Sequence, residues 1–315
     1  MRLVDSRLSL PLVYSACRDV LRSRMPAENM YIGLRAKEGL RFPYFLDERM
    51  PENPLEIFPK EGWTGYILDT GKRYCLSLDA PPPETAKPVG ALPQDWLGVP
   101  ILDRDRSPMG VLTVQTYRAH ESYTASDVEF LEFTAEALSV AIQLADQDRE
   151  IAIHRIAALV EETVDVTDLY PKIHEILQTI IPAARKNLII SRVDESAGVF
   201  IPVFWRDEKD ELATSPWPLS HGMSGYIYRT SHASFIYEDG ITPVPPGIIN
   251  FGSFPKYWLG APLFNRDKIL GIVVVQTYDS SEVITREDEF AINGICPYIA
   301  SAISHAELFS RVKGM

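Results

Sequence analysis

Trp96 to Tyr117 reads WLGVPILDRDRSPMGVLTVQTY, and Trp258 to Tyr278 reads WLGAPLFNRDKILGIVVVQTY, one residue shorter in its turn. The two stretches lie about 160 residues apart, a spacing set by duplication of a whole domain rather than by a short solenoid unit. Working outward, Gly62-Trp-Thr-Gly-Tyr66 returns as Gly222-Met-Ser-Gly-Tyr226. Phe42-Pro-Tyr-Phe45 returns as Ile201-Pro-Val-Phe204, in the same order and at nearly the same offset. The copies align end to end, so two domains are expected. No reactive side chain repeats with them, which points to sensing or coupling rather than to a duplicated active site.

The chain has 315 residues, enough for two domains that each bury a core. A formal charge of -12 repels phosphate backbones and anionic lipid, and no basic run of useful length offsets it, so neither nucleic acid nor a membrane surface is an expected partner. The apolar stretch Leu8 to Val13 is short and broken by Pro11, unlike a signal peptide, and no run approaches a membrane span. The chain reads as cytoplasmic. Cys17, Cys75 and Cys296 form no CxxC pair and do not recur between the copies, which fits a reducing compartment and small buried hydrophobes. Six scattered histidines show no metal-binding spacing, so no metal and no cofactor is expected.

Leu10 to Leu21 opens the first copy as a helix with Pro11 in its first turn, and Tyr170 to Ile181 does the same around Pro171. Paired strands follow at Met30 to Leu34 and Leu40 to Leu46, and again at Leu188 to Val193 and Val199 to Trp205. A short helix comes next, capped by Thr64 or Ser224 and ended by Gly71 or Ser231. Proline-rich connections, about Leu78 to Gln94 and about Asp239 to Lys256, have the length of lids or binding loops. Two last strands, ending in Val111 to Tyr117 or Ile272 to Tyr278, and a closing helix complete each copy.

From Val111 through Tyr170 there is no proline or glycine, and Leu131, Leu138, Ala145, Ala152, Leu159 and Val166 recur at seven-residue spacing. Ala135, Ile142, Arg149, Ile156 and Thr163 complete a heptad pattern. One helix from about Asp127 to Asp165 is expected, on the order of 60 Å long at 1.5 Å per residue. Its first half has two readings, cover for the first sheet or a dimer seam. The stretch Asp146 to Val164 is the better seam, and a homodimer is expected along it.

This element order is that of a GAF domain. The words that match are MPAENMYIG at Met25 to Gly33, FPYFLDE at Phe42 to Glu48, GWTGYILDTGK at Gly62 to Lys72, DWLGVPI, GVLTVQTY up to Tyr117, and Tyr123-Thr-Ala-Ser-Asp127. The chain resembles a tandem GAF protein and is similar to the GAF modules of bacterial histidine kinases and diguanylate cyclases. The resemblance implies an α+β architecture of two GAF (PAS-like) domains, each an antiparallel sheet with helices packed on it, at 1–145 and 166–315. A long connecting helix at 146–165 joins them. It implies small-molecule binding or dimerisation, with the change passed along terminal helices. The cyclic-nucleotide N-K-F-D-E signature is missing. Cys75 is followed by Leu76 rather than the histidine that follows a bilin-attaching cysteine, and the thiols do not reproduce the free methionine sulfoxide reductase set. No kinase, cyclase or DNA-binding segment follows Met315, so a complete regulator acting through partners and the sensory part of a longer protein both fit.

The expected reading is a non-enzymatic sensory or regulatory protein of bacterial signal transduction that binds an unknown small molecule. The alternative is a ligand-free dimeric scaffold that recruits a signalling partner. A reductase-type enzyme comes third. Gln115 and Gln276 stand in apolar strands, where a buried amide needs partners, and each either reaches into a pocket or bonds backbone at the strand end. The ligand-facing set is Tyr31, Phe45, Trp63, Tyr66, Trp96 and Gln115 in the first copy, with Phe204, Tyr226, Trp258 and Gln276 in the second. Copy one, with Trp63 and Gly71, is the expected binder. A cavity of about 300 Å³ or more under a proline-rich loop is expected of a sensor.

Overall fold

The computed structural model describes residues 10–50, 58–82, 86–162, 166–210, 215–230, 234–249 and 252–313. The chain divides into two compact units, Met1–Ala145 and Asp146–Met315. Both are α+β, an antiparallel sheet with helices packed on it.

The first unit runs α1 (Leu10–Arg22), β1 (Asn29–Ala36), β2 (Gly39–Leu46), α2 (Gly62–Thr70), β3 (Tyr74–Cys75), β4 (Asp95–Leu102), β5 (Pro108–Thr116) and the start of α3 (Ala125–Glu162). The sheet order is β2-β1-β5-β4-β3. Side chains alternate along β4, so Leu97, Val99 and Ile101 join a core with Tyr14 and Leu21 of α1 and Leu131 and Leu138 of α3. Trp96 points the other way, into a second core with Trp63 and Ile67 of α2.

Helix α2 ends at Gly71, whose φ of 66° places it in the left-handed region and lets its N–H reach the Ile67 carbonyl at 2.8 Å. The start corrects the expected cap. Glu61 holds the cap position without a side-chain cap bond, and Thr64 lies inside the helix with its Oγ1 2.9 Å from the Tyr31 hydroxyl.

The second unit repeats the plan. It comprises α4 (Val166–Leu177), a 3-10 turn at Pro182–Arg185, β6 (Leu188–Asp194), β7 (Val199–Arg206), β8 (Trp217–Pro218), α5 (Gly222–Thr230), β9 (Phe235–Glu238), β10 (Tyr257–Asn265), β11 (Lys268–Thr277) and α6 (Arg286–Lys313). The sheet order is β8-β7-β6-β11-β10-β9. Helix α4 starts at Val166, four residues before the expected Tyr170, so Pro171 sits within the helix instead of in its first turn. Thr163 and Ser231 fall outside the described residues.

The first half of the heptad covers the first sheet, one of its two expected uses, whereas the second half, expected as a seam, is also core. Leu131, Ala135, Leu138 and Ile142 are buried in the first unit's core, and Ala152, Ile156 and Leu159 in the second unit's core. A helix that lays one stripe on a sheet repeats apolar residues every three to four positions, and this imitates a coiled-coil seam over a few turns. Arg149 is not a flaw in a seam. Its guanidinium lies 4.7 Å from the centroid of the Phe290 ring and 3.0 Å from the Asp146 carboxylate.

The recurrent Trp-Leu-Gly has a steric origin. Residues two apart share a strand face, and the indole folds down over the glycine. A Cβ on Gly98 would stand 2.3 Å from Trp96 Cη2 and 2.8 Å from Ile67 Cδ1; on Gly260 it would stand 2.1 Å from Trp258 Cη2 and 2.7 Å from Ile227 Cδ1. Gly98→Ala should therefore lower the stability of the first unit by about 1–3 kcal/mol through forced displacement of the indole. Urea unfolding followed by tryptophan emission checks this, and an unchanged midpoint would refute the steric account.

In α4, His174 is 5% exposed, stacks on Phe204 with ring centroids 5.2 Å apart, and sets Nε2 3.1 Å from the Ala184 carbonyl. Burial first, then the Arg206 charge, holds its pKa below the ordinary 6.5. The unfolded chain takes up this proton near pH 6.5 while the folded unit resists it, so this contribution to stability is full above that pH and is lost as pH falls below it. His174→Gln should lose less thermal stability than wild type on going from pH 7.5 to pH 5.5, about a unit either side of the free histidine value. Parallel melting profiles for the two proteins would show that His174 is not the group responsible.

Candidate functional site

Gln115 stands near the end of β5 and is 7% exposed. Its Nε2 donates to Asp47 Oδ2 and, at 3.0 Å, to the Tyr117 hydroxyl. Tyr117 in turn donates to Asp47 at 3.0 and 3.2 Å. Asp47 Oδ1 also accepts the backbone N–H groups of Arg49 and Met50, at 2.8 and 3.2 Å, which closes the turn after β2. Asn29 on β1 pins that turn from the side, accepting Glu48 N–H at 2.8 Å and donating to the Gln115 backbone carbonyl at 3.2 Å.

The second unit carries the same frame. Gln276 Nε2 donates to Asp207 at 2.5 Å and to the Tyr278 hydroxyl at 2.8 Å, and Tyr278 donates to Asp207 at 3.1 Å. Asp207 Oδ1 accepts the N–H groups of Lys209 and Asp210, and Asn187 accepts that of Glu208. A cation covers each tyrosine, Arg49 at 4.6 Å from the Tyr117 centroid and Lys209 at 4.4 Å from that of Tyr278. Burial and the adjoining carboxylates push both phenols well above the usual tyrosine pKa, so each remains a protonated donor at neutral pH.

The chemistry orients the glutamines. A carboxylate only accepts, so each amide must turn its NH₂ toward the aspartate, and its carbonyl Oε1 is left over. Gln115 and Gln276 both line cavities. The backbone-capping reading of these glutamines is set aside, because their side chains bond side chains.

The first cavity measures about 130 Å³ and lies between β1, β2, the first turn of α2 and the proline-rich connection, which contributes Pro88 to Ala91 and Pro93. Tyr31, Phe45, Trp63, Trp96 and Gln115 line it as expected. The Trp96 indole N–H donates to Tyr31 at 3.2 Å, and this joins the wall on β4 to the wall on β1. The second cavity, about 60 Å³, is lined by Trp258 and Gln276 of the expected set together with Trp205, Trp217 and Met223. Both volumes are below the expected 300 Å³ or so.

Three expected residues stand elsewhere. The cavity meets only the first turn of α2, so Tyr66 lies outside it, and Tyr226 at the matching place in α5 packs on Phe235 at 5.4 Å. Phe204 lies on the opposite face of β7, against His174. The bulge stands at the same place in both units, since Ile32 and Leu34 pair with Tyr44 and Arg41 just as Ile190 and Arg192 pair with Phe204 and Ile201, so Phe204 corresponds to Tyr44 and the match by proline is one residue out. A one-residue slip flips every side chain. Phe45 pairs with Tyr31, and its structural counterpart is Trp205, which pairs with Ile189 and does line the cavity.

Asp47, Phe42 and Tyr117 in the first site, and Trp205 and Asp210 in the second, were not among the expected residues. A signal for the carboxylates was present. Asp47-Glu-Arg49 returns as Asp207-Glu-Lys209, and Gln-Thr-Tyr closes both last strands. Among the described residues no group of three or more His, Cys, Asp or Glu could hold a metal ion, and no helix is long and apolar enough to cross a membrane.

Residues 8–143 match the GAF domain family model. No curated protein matches the chain. Among solved structures, it is similar to the GAF domain of a phosphoenolpyruvate-protein phosphotransferase from Coxiella burnetii, with 17% identity and a TM-score of 0.43, covering 53% of this chain and 97% of that one. It is also similar to a putative GAF sensor protein from Burkholderia vietnamiensis, with 16% identity and a TM-score of 0.42, covering 53% and 98%. A third is the free methionine-R-sulfoxide reductase from Neisseria meningitidis in complex with its substrate, with 14% identity and a TM-score of 0.43, covering 52% and 92%. The family match, laid over the sheet, helices and cavity of the first unit, means that this chain carries a GAF domain at residues 8–143.

Proposed function

We propose that the chain is a non-enzymatic sensory or regulatory protein of bacterial signal transduction. In this reading it is cytoplasmic, with two GAF domains at 1–145 and 166–315 joined through the helix at 146–165. The first domain binds a small molecule and its helices relay the change to a signalling partner. GAF domains are sensory, ligand-binding modules of signalling proteins. The observation that carries the proposal is the first cavity, with aromatic walls, one oriented amide and a loop across it. A physical route outward supports the relay. Asp95, 1% exposed, accepts the N–H of Trp96 at 2.8 Å and that of Tyr123 at 2.8 Å, so the residue beside the cavity wall also holds the entry to α3.

The small volumes favour a second reading, an interaction scaffold with collapsed pockets. The two differ in what the purified protein carries. Native mass spectrometry of protein from its own host, with thermal-shift screening of metabolites, should find a small molecule whose stabilising effect is lost in Gln115→Leu and reduced in Tyr117→Phe. Gln115→Leu alone should cost about 1–3 kcal/mol, since it removes a donor from buried Asp47. No bound species and no stabilising metabolite would favour the scaffold.

Homodimerisation is proposed along a different stripe from the heptad. Phe133, Val140 and Leu144 of α3 are 68%, 58% and 53% exposed, and with the exposed Ala137 they follow the alternating spacing of three and four that a seam needs. Leu144→Asp should convert a dimer to a monomer in sedimentation velocity, whereas Leu159→Asp should destabilise the second unit without specific dissociation. A wild-type protein that sediments as a monomer at tens of micromolar would refute this seam.

A further inference from the structure

The first cavity has a definite electrostatic character. Its lining carries two carboxylates, Asp47 and Glu61, and no lysine, arginine or histidine among the described residues. Asp47 is 7% exposed, and among the described residues no ion pair engages it. Outside the lining, Arg49 lies over the Tyr117 ring at 4.6 Å, and Lys60, between the lining residues Pro59 and Glu61, is paired with Asp69. Glu61 stands at the cap position of α2, where the helix start offers about half a positive charge. Against two carboxylates that half charge does not turn the cavity toward anions.

The hydrogen-bonding character agrees. The Nε2 of Gln115 is committed to Asp47 and Tyr117, and the Tyr117 hydroxyl to Asp47. At this corner the polar atom left for a guest is the Gln115 carbonyl oxygen, an acceptor. Tyr31, Phe45 and Trp96 line the same cavity, and aromatic rings attract a cation stripped of water. A cavity of about 130 Å³ is close to the engineered cavity of about 150 Å³ that holds benzene, so the guest is about one ring in size.

We infer that the first cavity selects small organic ammonium ions, with N–H donating to Gln115 Oε1 and the apolar body lying against the aromatic wall. The inference rests on the proposed pocket and adds its ligand class. Benzylamine, benzyl alcohol and benzoate share one body and differ in head group, so they separate charge from shape. They are titrated at neutral pH into the full chain, with ¹⁵N NMR of the Gln115 side-chain amide and the Trp63 and Trp96 indoles as the readout. Benzylammonium should shift these signals and bind at least about tenfold more tightly than benzoate, with benzyl alcohol between them. Glu61→Gln, at an exposed position, should narrow that preference, and Gln115→Met should weaken benzylammonium more than benzyl alcohol. Benzoate binding as tightly as benzylammonium at the same signals would overturn the ammonium class and leave the pocket standing. Silence of these signals with all three probes would overturn both. Benzylammonium shifts confined to residues away from the cavity would mark surface charge binding and overturn the inference.

Discussion

The contact on which both sites depend is an indole laid flat on a glycine two residues along the same strand. Trp96 over Gly98 and Trp258 over Gly260 leave no room for even a methyl group. The indole is therefore held on the face opposite the main core, beneath the short helix. Ile67 or Ile227 crowds the same space over the glycine. With its ring fixed, Trp96 can direct its N–H to Tyr31 across the sheet, and the cavity walls on β1 and β4 become one body. A larger residue at Gly98 would disturb the wall before it disturbed the sheet.

The second requirement is a buried carboxylate made tolerable by neutral donors. Asp47 accepts from an amide, a phenol and two backbone N–H groups, and Asp207 does the same in the other unit. Such hydrogen bonds are strong because the acceptor is charged. They leave the negative charge in place while fixing its surroundings, so the amide orientation is built in before any guest arrives. The turn after β2, the end of β5 and the residue beyond it are thereby locked together by side chains rather than by strand pairing.

Much of this plan was legible in the sequence because repetition exposes it. The Trp-Leu-Gly and Gln-Thr-Tyr words sit on β4 and β5 and on β10 and β11, and Gly71 ends its helix by the left-handed turn that glycine permits. Where the reading failed, a one-dimensional pattern had two three-dimensional solutions. The heptad of α3 is also the footprint of a helix on a sheet, and exposure alone tells the two apart. Phe204 matches Phe45 by its proline, but the bulged registers coincide and Pro202 stands one residue earlier than Pro43, so Trp205 takes the inward place. Asp47 and Asp207 were missed because an acidic residue after a strand reads as a turn, and only the fold brings it to a glutamine 68 or 69 positions away.

The repeated polar frame around unequal volumes makes the chain its own reference. A disturbance that acts on the frame meets an aspartate, a glutamine and a tyrosine in each unit and is registered in both. A disturbance that needs room meets about 130 Å³ in one unit and about 60 Å³ in the other, and is registered unequally. The difference between the two responses cancels what they share and keeps what depends on space, as a paired detector rejects a common background.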